Sequence, residues 1–505
     1  MKTPILGSSY VARSTNAADA RMINLFPEVV PEAGKEAAFL NRAPGLRLLT
    51  TVGLGPIRGL LSYGQWMYVV SGSELYKVDQ SYNATLIGTI SNTGPVSMAF
   101  NGTQLFIAAN GPSYVYNAVT NAFVENVSFP RAQTVTFLDG YFIFSEPSTQ
   151  KFWVTESYDG TVLDGASVSS AEGSPDGLVA LIADHSELWL FGGNSVEVWY
   201  DAGLPPPGTP FQRIQGAFNE IGCAATYSVA KMDNSLFWLG ADARGKGIVY
   251  RANGYTGQRV STHAVEYAIA QYGTISDAIG YSYQQEGHTF YVLTFPSANA
   301  TWVYDASTQA WHERGSWAGQ QYIRHRSNCQ TVFNGEVTVG DFENGKIYAF
   351  DLNVYSDAGD VQRWARSWRA LPTGQNNLKR TAHHSLQLDC EVGFELPPVA
   401  EDTFLITEDG DDIITQSYDF LVTGVEVLTP GVPLVNLRWS DDGGHTWSNY
   451  HAQSMGSVGQ TGRRVIWRRL GMTQKLRDRV YEVSATDHVK IAIMGAELFA
   501  SPTNA

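Results

Sequence analysis

The chain has 505 residues, a formal net charge of −15, only 16% charged residues, 12% aromatics and 49 glycines. That length exceeds one compact core and implies two or three domains, and few helix-forming charged residues beside many aromatics and turn formers predict an all-β chain. An acidic protein gains nothing from counterion release on DNA, which argues against duplex coating or sequence reading, and three scattered cysteines (Cys223, Cys329, Cys390) argue against a disulfide framework or a metal site.

At the N-terminus, Met1-Lys2-Thr3-Pro4-Ile5-Leu6-Gly7 lacks the apolar core of an export signal, and no stretch approaches the apolar run of a membrane span. Synthesis in a cytoplasm with no membrane insertion is expected. From residue 51 a repeat sets in: a polar turn, a short apolar strand, a break, and a second strand rich in aromatics. Its anchors are Trp66, Phe106, Phe142, Trp189, Phe237, Phe290 and Val337, at intervals of 40, 36, 47, 48, 53 and 47 residues. Repeats of this length with several strands each are the signature of propeller blades. One such small sheet cannot bury both faces, whereas a closed ring of them can. Asn101-Gly102, Asp139-Gly140 and Asn334-Gly335 supply the positive φ angles of tight hairpins. The spacing predicts a β-propeller of six or seven blades over residues 51–351; a large sandwich with coincidental spacing is the alternative.

Residues 201–211 interrupt the rhythm. Leu204, Pro205, Pro206, Pro207, Gly208, Thr209 and Pro210 form a stiff loop, because successive prolines cannot donate to a ladder. It is either an ordinary connector or a contact or gating loop. Residues 352–505 differ in texture: acidic from Glu391 to Glu426, basic from Arg463 to Arg479, with strand-like runs at 434–439 and 489–494. They predict a second, sandwich-like β-domain. Because a closed ring brings the ends of its chain together, the N-terminal arm, residues 1–50, is expected to join that domain on the platform side.

Ser440-Asp441-Asp442-Gly443-Gly444-His445-Thr446-Trp447 matches an Asp-box, S-x-D-x-G-x-T-W. There Ser440, Asp442, Gly444, Thr446 and Trp447 have structural roles: the carboxylate folds back on the turn's own amides and the indole packs beneath. The box resembles those of sialidases, where it lies away from the reacting sugar. Gly240-Ala241-Asp242-Ala243-Arg244-Gly245-Lys246 has phosphate-loop spacing, but Gly247 stands where a Mg²⁺-binding hydroxyl belongs and the segment joins two strands, so a hairpin is expected. His383-His384 reads as a solvated or interface pair, and Glu408-Asp409-Gly410-Asp411-Asp412 as an acidic turn rather than a Ca²⁺ loop. No G-x-S-x-G elbow occurs. Catalysis has no visible home, and no cofactor or metal is expected. Arg463, Arg464, Arg468 and Arg469, interleaved with Val465, Ile466 and Trp467, suit a strand whose outward arginines meet an acidic neighbouring subunit; solvated surface charge is the plain alternative.

Several segments resemble the packaged-DNA stabilisation proteins, the tail accessory or nozzle family of short-tailed bacteriophages. They are Gly7-Ser8-Ser9-Tyr10, Met22-Ile23-Asn24-Leu25-Phe26-Pro27-Glu28, Ala43-Pro44-Gly45-Leu46, Gly55-Pro56-Ile57-Arg58-Gly59-Leu60, Glu197-Val198-Trp199-Tyr200-Asp201, Ser261-Thr262-His263-Ala264-Val265-Glu266 and Tyr281-Ser282-Tyr283-Gln284-Gln285-Glu286-Gly287-His288. The resemblance spans about residues 5–350. It implies a structural virion protein: a homohexameric ring beneath the portal and its adaptor ring that prolongs and plugs the channel, retains packaged DNA, guides its ejection, and carries fibres, spikes or a needle. DNA would be met only in passage. The competing class is a tail-borne carbohydrate-binding or glycan-degrading propeller.

Overall fold

The computed structural model describes all residues except 16, 17, 32, 33, 35, 92, 205–207, 373–379, 395–398, 402–426, 430, 475–478, 504 and 505. The described residues form strands throughout, with one helix among them, His263–Ala270. Two compact units emerge: Ser8–Leu25 with Ala43–Asp360, and Met1–Gly7 with Phe26–Arg42 and Val361–Ala505.

The larger unit holds seven antiparallel blades. In the first, Ile57–Tyr63, Trp66–Ser71, Glu74–Val78 and Ala84–Thr89 pair in chain order. Later blades begin at Ser97–Phe100, Val135–Leu138, Leu178–Asp184, Ala230–Met232, Ile279–Gln285 and Ser327–Phe333. All seven sequence anchors fall on the second strand of successive blades: Trp66–Ser71, Gln104–Ala108, Tyr141–Ser145, Glu187–Gly192, Ser235–Asp242, His288–Phe295 and Glu336–Asp341. The third strand often ends in Asp or Asn whose carbonyl or carboxylate oxygen accepts from the amide two residues on. Asp79 Oδ1 accepts from Ser81 N at 2.9 Å, Asn117 from Val119 at 3.0 Å, Asp201 from Gly203 at 2.7 Å, Asp305 from Ser307 at 2.9 Å and Asp351 from Asn353 at 2.9 Å. A short Asx turn thus reverses the chain into the outer strand.

The ring closes with a strand from the other end of the sequence. Gly45–Thr51 pairs antiparallel with Lys346–Asp351, supplying the fourth strand of the seventh blade. Side-chain hydroxyls also bridge the first strands of neighbouring blades. Thr331 Oγ1 accepts from Ser62 N at 3.0 Å, Ser97 Oγ from Val135 N at 3.0 Å, Thr134 Oγ1 from Leu181 N and Thr136 Oγ1 from Ala183 N, both at 3.1 Å. Gly340 lies so close to the first blade that an added Cβ would sit 2.3 Å from Ile57 Cγ2, so only glycine fits that seam. Apolar side chains fill the spaces between blades, among them Phe106, Phe142 and Phe144 between the second and third, and Phe191, Trp189 and Trp238 between the fourth and fifth. The free edge of the sixth blade is covered by Met22–Ile23, parallel to Ala310–Trp317, with Arg21 ion-paired to Glu313 at 2.7 Å. Covering an edge in this way removes a template for aggregation.

The smaller unit is a sandwich. One sheet runs in the order Leu25–Val29, Ala38–Arg42, Ala492–Pro502, Thr381–Cys390, Val465–Met472; the other contains Trp364–Arg369, Val480–Ala485, Leu434–Ser440 and His451–Ser454. Leu386, Leu388, Trp467 and Leu498 of the first sheet and Trp368, Tyr481, Val483 and Leu437 of the second are buried. The extreme N-terminus is tied in by Thr3 N donating to Ala496 O at 2.9 Å and Arg366 Nε donating to Ile5 O at 2.6 Å.

Candidate functional site

The Asp-box turn follows strand Leu434–Ser440. Asp442 Oδ1 accepts from Ser440 Oγ at 2.7 Å and Thr446 N at 2.9 Å, and its Oδ2 accepts from Thr446 Oγ1 at 2.6 Å. These bonds hold its carboxyl far below the ordinary carboxylate range, the Ser440 hydroxyl contributing most. Gly443 and Gly444 take positive φ angles of 74° and 92°. Trp447 Nε1 donates to Gly444 O at 3.0 Å, and the Arg438 guanidinium lies 4.5 Å over its ring. Arg438 in turn grips Glu482 through two 2.8 Å bonds, while buried Arg479 clasps Asp441. The turn's own polar groups are spent on one another, which is the economy of a scaffold.

The basic run lies on Val465–Met472, at the edge of its sheet. Val465, Trp467 and Leu470 are buried, whereas Arg463, Arg464, Arg468 and Arg469 are exposed. Strict alternation would bury Arg469. Instead Arg469 has φ +60° and the register slips opposite His383 and Ser385, a bulge that turns two successive arginines outward. None of the four is ion-paired with a carboxylate among the described residues. Beside them an open depression of about 590 Å³ is lined by Ala382, His384, Ser385, Gly471 and Met472 as well. The histidine pair splits: His384 is exposed and bonds Ser501, but His383 is 2% exposed, its Nδ1 2.7 Å from Tyr481 Oη. The expectation of a solvated pair is therefore corrected for His383, because strand alternation sends neighbours to opposite faces.

The proline loop sits within the fourth blade, joining its third strand, Val196–Asp201, to its fourth, Phe211–Asn219. Its base is fixed, with Ala202 N donating to Pro210 O at 2.9 Å and buried Thr209 hydrogen-bonded to Ser169 at 2.8 Å, while Leu204 is exposed. Pro205, Pro206 and Pro207 lie outside the described residues, as does the acidic run 408–412.

Elsewhere the chemistry-bearing motifs resolve into structure. Strands Ser235–Asp242 and Gly245–Asn253 make a hairpin of the phosphate-loop look-alike, with Asp242 Oδ1 accepting from Gly245 N at 2.9 Å. Glu266 stands 3.9 Å from His263 and bonds Ser261 Oγ and Arg259 instead. Burial pushes the Cys223 thiol up to about 11 and those of Cys329 and Cys390 up to about 12, so none is a ready nucleophile. Among the described residues no group of three or more His, Cys, Asp or Glu is placed to hold a metal ion.

Comparison with solved structures gives remote likenesses. They include the N-terminal domain of Nup159 (TM-score 0.39, 10% identity, covering 64% of this chain and 97% of that one) and BamB from Moraxella catarrhalis (0.37, 9%, 66% and 98%). Another is the extracellular domain of a hybrid two component system, BT4673, from B. thetaiotaomicron (0.41, 11%, 87% and 58%). No curated protein matches the chain. Two family matches cover most of it: bacteriophage P22 Gp10, beta-propeller, over residues 1–355, and bacteriophage P22 Gp10, beta-sandwich, over residues 420–501. All seven blades lie within the first stretch, and the sandwich strands Leu434–Ser440, His451–Ser454, Val465–Met472 and Val480–Ala485 within the second; the chain belongs to the bacteriophage P22 Gp10 family of phage tail structural proteins.

Proposed function

We propose that this protein is the repeating unit of a tail nozzle: a non-enzymatic hexameric ring that extends and plugs the portal channel, retains packaged DNA, guides its ejection and carries distal tail parts. The match to both parts of the P22 Gp10 family carries the reading. Charge supports it. Residues 1–351 hold 20 Lys and Arg against 30 Asp and Glu, near −10 per copy. A sleeve of that sign does not grip phosphates, so DNA slides and retention falls to steric closure. The loop 204–210 is our candidate for that closure. Of the N-terminal arm only residues 1–7 and 26–42 join the sandwich unit, whereas residues 8–25 and 43–50 join the propeller unit; the sandwich unit is our candidate for the adaptor-facing platform and the propeller unit for the outward part.

The four exposed arginines on and just before the bulged edge strand are assigned to the contact between subunits, where the acidic surface of a neighbour would meet them. Particle imaging of the purified chain, alone and mixed with portal–adaptor complex, tests the reading. Six-fold rings seated on the adaptor are expected; a monomer that ignores the adaptor would overturn it. Reversing Arg463, Arg464, Arg468 and Arg469 to Glu should leave folded monomers by sedimentation, whereas rings that form as before would remove these residues from the interface.

A further inference from the structure

An axial cavity of about 340 Å³ is lined by residues on or leading into the first strands of all seven blades. Its wall includes Arg58, Thr134, Thr226, Tyr227, Asn328 and Gln330. Among the described residues Arg58 is the only charged side chain lining it, and no carboxylate does. That is notable in a chain of net charge −15.

Arg58 is 4% exposed. Its Nε donates to Gly94 O at 2.6 Å and its Nη1 to Gly72 O at 2.8 Å, which staples the first blade to the loop leading into the second. Its Nη2 is buried and has no hydrogen-bond partner among the described residues. Carbonyl partners satisfy hydrogens without neutralising charge, and a buried cation with no counter-ion carries a desolvation penalty that an anion would relieve. Burial accordingly pushes the guanidinium below its ordinary range. Around the same space Thr226 Oγ1 accepts from Gln133 Nε2 at 3.1 Å, leaving the hydroxyl hydrogen free to donate inward.

We propose that the axial cavity is a binding site for a small oxyanion of the phosphate class, held by the unpaired Nη2 of Arg58 and by hydroxyl and amide donors of neighbouring blades. One ion would join strands that otherwise touch only in pairs around the ring, and so lock the propeller. The simpler occupant is water, which would satisfy Nη2 but leave the charge bare.

Titration of the full chain with inorganic phosphate, at ionic strength held constant with sodium chloride, separates these. Saturable binding of one phosphate per chain by calorimetry is expected, with a Tm that rises as phosphate is added. Arg58→Gln, which removes the charge and keeps a polar group, should weaken that affinity by about ten-fold or more. Absence of saturable binding to the wild-type chain, or an unchanged affinity in R58Q, would overturn the proposal. Should R58Q fail to fold, wild-type crystals soaked in selenate decide: anomalous density within hydrogen-bond reach of Arg58 Nη2 supports the site, and density absent from the axis removes it.

Discussion

Replacing Trp238 with alanine is expected to destabilise the propeller by about 3–5 kcal/mol, the range of large aromatic truncations in well-packed interiors. Trp238 is fully buried between the fourth and fifth blades, edge-on to Phe191 with ring centroids 5.4 Å apart and stacked on Tyr250 at 5.9 Å. Its Nε1 donates to Gly222 O at 3.1 Å, so truncation also removes a buried hydrogen bond. Trp66 occupies the equivalent second strand of the first blade but is only half-buried, with Lys77 Nζ 5.1 Å over its ring. Trp66→Ala should therefore cost less than half as much. Urea unfolding of both variants, compared through midpoints at a common m-value, checks the pair. Equal losses would mean that packing between blades is not what holds the ring.

The difference between these two tryptophans also explains why the blades could be read from the sequence. The second strand of a blade is enclosed on both faces, so it appears as an unbroken apolar run; Gln104–Ala108 is buried at every position. Runs of that kind recur once per blade and survive differences in loop length. The closing strand left no such trace. Gly45–Thr51 is buried only at Gly45 and Leu46, and its partner Lys346–Asp351 lies some 300 residues away, a pairing that no local pattern encodes. The count of blades stayed open between six and seven for a related reason: the seventh anchor is Val337, and its blade borrows its fourth strand from the N-terminal side. Of the candidate surface, the alternation around Trp467 was legible, but the outward turn of both Arg468 and Arg469 depends on a bulge, and a bulge is set by the partner strand. The cation at the propeller axis gave no signal at all. Arg58 sits in an apolar strand where its role depends on six other blades.

Acidification should loosen both units well above the range where carboxylates titrate. His325 of the propeller is 2% exposed, and its Nδ1 accepts from Ser327 N at 3.2 Å, which requires the ring to be unprotonated at that nitrogen. Burial, with help from nearby Arg314 and Arg326, pushes its pKa down from 6.5 to about 3. His383 of the sandwich is lowered to about 4, again by burial first and then by Arg479. In each case the unfolded chain binds a proton below pH 6.5 that the folded chain refuses until pH 3 to 4. The stabilisation is complete above about pH 6.5 and is lost as pH falls through that window. Between pH 7 and pH 5 the loss amounts to about 2 kcal/mol for each histidine. Unfolding midpoints at pH 7, 6 and 5 should fall steadily in the wild-type chain. His383→Gln should flatten the fall for the sandwich and His325→Gln for the propeller, while His384→Gln, at an exposed position on the same strand as His383, should leave it unchanged. A wild-type midpoint constant from pH 7 to 5, or a slope that His325→Gln does not reduce, would show that these rings accept their protons inside the folded protein.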